Sequence, residues 1–256
     1  MHTVLNLDLD FFVWPIAHWP EGDGRLPAGD CEYLATDHEV RGFLEQRCHL
    51  NKDNKIPGKV FVEHEEAFRV WRRWIIDGTL TSPFRVFHVD AHADLGLGDS
   101  GWVYLSTELL ALPLQRRVEP RFASNCLSSS NYLAFAIANR WIHSLSYVFP
   151  TGPSSASGRA GKSCPDDLPP MHFRDGDPKT GLIELKQYRT RDIMAVTTGS
   201  RATPLDVEPC VPFNCTAATE FQFSGFTHFV LAQSPRYTPP AADKLLEIIR
   251  EYLSPA

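Results

Sequence analysis

The sequence lacks any long apolar run. No stretch reaches the roughly 18 consecutive apolar residues of a membrane-spanning helix, so no membrane partner is expected. It also lacks a basic block. Its 25 Lys and Arg against 31 Asp and Glu leave a net charge of -6, a poor footprint for a protein that tracks nucleic-acid phosphates. The N-terminus, Met1-His2-Thr3-Val4-Leu5, has no basic region and soon meets Asp8 and Asp10, unlike a signal peptide. A cytoplasmic protein is the expectation. The six cysteines (Cys31, Cys48, Cys126, Cys164, Cys210, Cys215) show no CxxC spacing. Reduced, mostly packed thiols are therefore expected rather than a zinc ribbon or a disulfide frame.

Apolar material is ample: 43% of 256 residues, enough for one sizeable α/β core spanning residues 1–256. Val4-Leu5-Asn6-Leu7 reads as a first buried strand that stops at Asp8-Leu9-Asp10. A turn-rich stretch follows, and then a short helix within 38–48. Lys59-Val60-Phe61-Val62 reads as a second strand, and 65–76 as a helix with Phe68, Trp71 and Ile75 on one side. Further strands are expected at 85–89, 145–149, 193–196 and 228–232, with helices at 131–141 and 241–252. Residues 151–170 are rich in Gly, Ser and Pro, and a long loop or lid is expected over 151–181. GRAGKS, within that stretch, has the wrong spacing for a phosphate loop, and Pro165 stands where a helix would start. Short strands alternating with helices imply a three-layer, doubly wound, mostly parallel α/β sheet.

Functional groups in such sheets gather at the carboxyl ends of strands. Three of the expected strands end in ligand-type residues: Asp8 and Asp10; His64; and the run His88, Asp90, His92, Asp94 in HVDAHAD. Parallel strands would bring them to one rim. Several carboxylates close together repel one another unless cations neutralise them. A majority of carboxylates with some imidazoles suits Mn²⁺ or a similar borderline-hard ion. Four aspartates with His64 and His92 suffice for two ions per chain, which at about 3.5–4 Å separation can share a hydroxide.

DAHAD, Asp90 to Asp94, resembles the Asp-Ala-His-x-Asp signature of the ureohydrolase superfamily, the arginases and agmatinases. LDLD, Leu7 to Asp10, is similar to that superfamily's Asp-x-Asp signature. His64 in VFVEHEEAF falls where its first histidine ligand would stand. Together with SNYLAFAIANRW, these motifs look closest to a short, divergent branch that includes the peptide arginases of ribosomal-peptide biosynthesis. The order differs: Asp-x-Asp follows DAHxD in arginases and precedes it here, as a circular permutation would produce.

The resemblance implies an arginase-like fold and a division of labour. One ion would be held by His64, Asp90, Asp94 and Asp8, the other by His92, Asp90, Asp8 and Asp10. Hydroxide would attack the guanidinium carbon of an arginine in a peptide or precursor peptide, and Asp94 would deliver the proton to the departing amine. Urea and an ornithine residue would result. Glu66 is the candidate for holding the guanidinium, with Glu65 and Glu208 competing. Asn131 is the candidate for a substrate backbone contact. His88 is a substrate-side or ligand-orienting candidate. A peptide is favoured over free arginine because the segment after DAHAD does not resemble the arginase loop that holds free α-amino and α-carboxylate groups. The competing readings are a hydrolase of free arginine or agmatine, a deacylase of acylated amines on the same fold, a phosphatase of the haloacid dehalogenase type with Asp8 as nucleophile, and a non-catalytic binding module.

Overall fold

All six residues of the first strand, Thr3–Asp8, are buried, which is the signature of a central strand covered on both faces. The computed structural model describes residues 1–18, 24–96, 100–121, 126–152, 167–198 and 202–256. Eight strands form one sheet: β1 (Thr3–Asp8), β2 (Ile56–Phe61), β3 (Phe84–Val89), β4 (Ile142–Phe149), β5 (Leu182–Ile183), β6 (Val211–Ala217), β7 (His228–Ala232) and β8 (Leu253–Pro255). Their spatial order is β8-β2-β7-β1-β3-β4-β6-β5. Every pairing is parallel except the short edge pair β5–β6.

Side chains alternate across the sheet. The helices are α1 (Asp37–Gly42), α2 (Glu66–Ile76), α3 (Ser100–Tyr104), α4 (Tyr132–Ala138), α5 (Ile193–Thr197) and α6 (Asp243–Arg250). Val4 of β1 and Val86 of β3 pack with Phe68 and Trp71 of α2 and with Phe135 of α4. Leu5, Leu7 and Val89 share a second core with Val40 of α1 and with Leu245 and Ile249 of α6. The chain is thus an α/β protein with a large, mostly parallel sheet flanked by helices. Among the described residues, no helix is long and apolar enough to cross a membrane.

Three local expectations change. The expected strand at 193–196 is helix α5. Only Ile193 of that run is buried, and so short an apolar run does not distinguish strand from helix by pattern. Strands β5, β6 and β8 were not anticipated. Pro212 interrupts the β6 pattern and Pro255 that of β8, and proline argues against a strand except near an edge, where β8 and the β5–β6 pair lie. Cys215 is disulfide-bonded, which corrects the reading of all six cysteines as reduced thiols. Of the expected long loop, residues 153–166, including GRAGKS, lie outside the described residues. The part that follows runs through three short 3₁₀ turns and buries Leu168, His172 and Phe173.

Candidate metal centre

Strand order places the site. β2 lies to one side of β1, with β7 between them, while β3 pairs directly with β1 on the other side. This reversal opens a crevice at the carboxyl ends of the parallel strands. Asp8 closes β1, and Asp10 sits in the 3₁₀ turn that Asp8 caps by accepting the Asp10 N–H at 3.0 Å. His64 occupies the turn between β2 and α2. Asp90, His92 and Asp94 follow β3, and Ser234 follows β7. Asp94 adopts φ +49° and Gly96 φ +82°. These left-handed residues, tolerable for Asp and natural for Gly, turn the DAHAD segment back over the rim.

The decisive geometry surrounds one atom. His64 Nδ1 lies 3.0 Å from an Asp8 oxygen, 2.9 Å from Asp90 Oδ2 and 3.1 Å from Asp94 Oδ2. His64, Asp8, Asp90 and Asp94 are all buried. A single imidazole nitrogen has one proton or one lone pair and cannot satisfy three carboxylates. Neither His64 Nδ1 nor Asp90 Oδ2 makes a well-directed hydrogen bond. Buried polar atoms left this way call for a missing partner, and a cation between them supplies one.

A second group abuts the first through Asp90. His92 Nδ1 lies 3.0 Å from Asp10 Oδ2 and 3.7 Å from Asp90 Oδ1. The ligand atoms of Asp10, Asp90 and His92 lie within 4.8 Å of one another, as do those of His64, His88, Asp90 and Asp94. The two groups could hold metal ions, and an oxygen-rich set with imidazole fits a divalent cation. Asp90, with one oxygen toward each group, is the bridge.

Hydrogen-bond direction sets the tautomer of the first ligand. His88 Nε2 stands 2.8 Å from the His92 carbonyl. A carbonyl only accepts, so Nε2 carries the proton and His88 Nδ1 accepts from Asn6 Nδ2 at 3.1 Å. The Asn6 oxygen therefore faces His64 Nε2 at 3.0 Å and requires a proton there. In the neutral imidazole, the form that a metal binds, Nδ1 then presents its lone pair to the carboxylates. Asn6 and His88 are register partners on β1 and β3, so the sheet builds this relay directly. His92 is oriented in the same way: its Nε2 donates to the Ala17 carbonyl at 3.0 Å, and its Nδ1 faces Asp10 Oδ2 at 3.0 Å.

The electrostatics match a site of excess negative charge. Burial alone would push the His64 imidazole down, but its contacts with Asp8, Asp90 and Asp94 hold it well above its usual range. Burial likewise opposes charge on His92, yet Asp10 and Asp90 raise it to about 12. Burial, then the charge of Asp90, raises Asp94. Burial, then Asp8 and Asp90, raises Asp10. Asp90 is held low despite its burial, because at the acid pH where it would take a proton His88, His64 and His92 all carry charge. Burial lowers His88 to about 4, so it stays neutral, as its relay role requires.

All six expected metal ligands, Asp8, Asp10, His64, Asp90, His92 and Asp94, line one cavity of about 440 Å³. The expected substrate residues stand apart from it. Glu66 accepts the Val62 and Glu63 N–H groups, each at 3.1 Å, and so shapes the His64 turn. Asn131 is buried and bonded to Ser128 N–H at 2.9 Å and to the Cys126 carbonyl at 3.2 Å. His88 is fully buried in the relay. Glu65 accepts from the Ser129 hydroxyl, and Glu208 is paired with Arg117 and Arg140.

Several site residues went unread in the sequence. Ser234 donates to Asp8, Tyr132 contacts Asn6 and His64, and Asp167, His18 and Tyr237 line the cavity. Only Asn6 carried a signal, as an amide within an otherwise apolar buried strand. The chain matches no protein-family model and no curated protein.

Proposed function

We propose that this protein is a Mn²⁺-dependent binuclear hydrolase with an arginase-like fold, which converts arginine residues of a peptide to ornithine with release of urea. The observation that carries this reading is the set of three carboxylate oxygens within 3.1 Å of one unpartnered imidazole nitrogen, His64 Nδ1. The changed motif order is no obstacle, because β1 and β3 are hydrogen-bonded neighbours. Asp-x-Asp and DAHAD meet at the same rim whichever comes first in the chain.

His64, Asp8, Asp90 and Asp94 would hold one ion, and His92, Asp10, Asp90 and Asp8 the other. When bound, such a pair supplies Lewis acidity and lowers the pKa of a water to near neutrality. Asp94 is the most accessible of the four aspartates, at 8% exposure against 1–4% for the others. It is therefore the one placed to take a proton from water and pass it to the departing amine. Asn6 and His88 hold His64 in its ligand tautomer. Ser234 and the Asp10 N–H fix the Asp8 carboxylate. A phosphatase reading, with Asp8 as nucleophile, would leave the DAHAD side chains without a role.

The test is mass spectrometry of an arginine-containing peptide, with free arginine alongside, after incubation with Mn²⁺-loaded protein. Loss of the amidine unit from the peptide with release of urea is the expected result. Reaction of free arginine alone would defeat the peptide assignment, and reaction of neither would defeat the substrate class.

A further inference from the structure

Five carboxylates line the cavity among the described residues: Asp8, Asp10, Asp90, Asp94 and Asp167. Asp8, Asp90 and Asp94 face His64, and Asp10 faces His92. Asp167 is held instead by the backbone. Its two oxygens are treated unequally. Oδ2 accepts the Ala93 backbone N–H at 2.7 Å, which docks the carboxylate on the middle residue of DAHAD. Oδ1 is buried and has no hydrogen-bond partner among the described residues. A buried carboxylate oxygen without a donor costs free energy, and a cationic N–H donor entering the cavity would offset that cost.

Other carboxylates are committed elsewhere. Glu66 is used by two backbone N–H groups, Glu65 by Ser129, and Glu208 by two arginines. Asp167 is the cavity carboxylate that retains an uncommitted oxygen outside the metal groups. Through Ala93 it is also tied to the segment that carries His92 and Asp94, so a group bound to Oδ1 is placed relative to those ligands by a short, rigid connection.

We infer that Asp167 is the substrate-binding residue that receives the cationic N–H group of the ligand, and that a guanidinium is oriented in the cavity by donating to its Oδ1. The assignment of guanidinium rests on the function proposed above, whereas the role of Asp167 as a cation anchor rests on its own geometry. Charge-assisted pairing of this kind is directional and strong. It distinguishes arginine from its neutral ureido counterpart, citrulline, which has nearly the same shape.

Binding to the Mn²⁺-loaded protein, read by tryptophan fluorescence on rapid mixing before turnover, tests this, with Mn²⁺ content and thermal midpoint measured for every variant. The probes are acetyl-Gly-Arg-Gly-amide, its citrulline and lysine counterparts, and its acetyl-lysine counterpart. The wild type is expected to favour arginine over citrulline by roughly ten- to hundredfold. In Asp167→Asn, which can still accept from Ala93 but presents an amide where Oδ1 was, the preference should vanish with metal content unchanged. Asp167→Glu should keep part of it. Retention of the preference in Asp167→Asn overturns the inference and leaves the proposed function standing. Loss of Mn²⁺ from Asp167→Asn also overturns it, since Asp167 would then be a metal ligand. A wild-type preference for lysine over acetyl-lysine that Asp167→Asn abolishes, without discrimination of arginine from citrulline, sustains the anchor and defeats the guanidinium reading. No preference for either cation defeats both.

Discussion

Glu208 and Asp90 are both buried carboxylates, but their surroundings are opposite. Glu208 takes Arg117 at 2.6 Å and Arg140 at 2.9 Å. Arg117 gives three further donors to the carbonyls of Leu112, Ala138 and Leu110. Both Glu208 oxygens have a donor, and positive charge meets negative. Asp90 sits among three other aspartates and three histidines, with its Oδ2 and the facing His64 Nδ1 unpartnered. Burial of charge is common to both regions and so does not mark function. Closure is what differs: both Glu208 oxygens have a donor, whereas Asp90 Oδ2 and His64 Nδ1 have no directed partner.

Asp90→Asn should produce the largest effect. It replaces one oxygen of the carboxylate shared by both groups with an amide and removes its charge, so metal stoichiometry and activity should fall together by more than about 100-fold. Metal analysis beside the urea assay would check this, and full metal content in the variant would break the contrast with Glu208.

Glu208→Gln is the reverse case. It leaves Arg117 buried without its counter-charge, at a cost of about 3–5 kcal/mol. Denaturant unfolding should show that loss, while Mn²⁺ stoichiometry stays at the wild-type value.

Asn6→Leu tests the relay that sets the His64 tautomer. Metal affinity should drop by about 10–100-fold as read by Mn²⁺ titration. Nitrogen-15 NMR of the metal-free protein, at a pH where His64 is neutral, should show that its Nδ1 and Nε2 signals are no longer locked in one tautomer. Unchanged affinity would mean that the relay is packing alone.

The smallest effect is a pH slope. His64 and His92 are raised above the ordinary 6.5, the latter to about 12, and Asp10 and Asp94 above 3.8. Groups whose folded pKa is raised stabilise the fold below their unfolded pKa and lose that contribution as pH rises through the folded value. The metal-free protein should therefore lose thermal stability as pH rises above about 6.5. Metal binding should strengthen over the same range, because the ligands shed protons. A metal-free midpoint that climbs with pH would contradict this.

Much of the contrast was legible in the sequence. Apolar runs that stop abruptly at Asp8, before His64 and at Asp90 mark buried strands delivering ligands to a rim, and the six ligand positions come together there. The partners that make the site work were hidden because each is a single polar residue remote in sequence. Ser234 arrives on β7, Tyr132 on α4, and Asp167 after a run of Gly, Ser and Pro. Glu66 and Asn131 illustrate the converse. Each stands beside a site segment, yet a nearby backbone group claims its side chain. β6 went unread because Pro212 breaks its pattern, and α5 because a four-residue apolar run has no distinct period.

Mn²⁺ titration of the metal-free protein, with bound metal measured per chain, tests the central claim most directly. Two ions per chain with proton release are the predicted result. No bound ion at neutral pH would contradict it, and would make the Asp–His rim as closed a structural network as the one around Glu208.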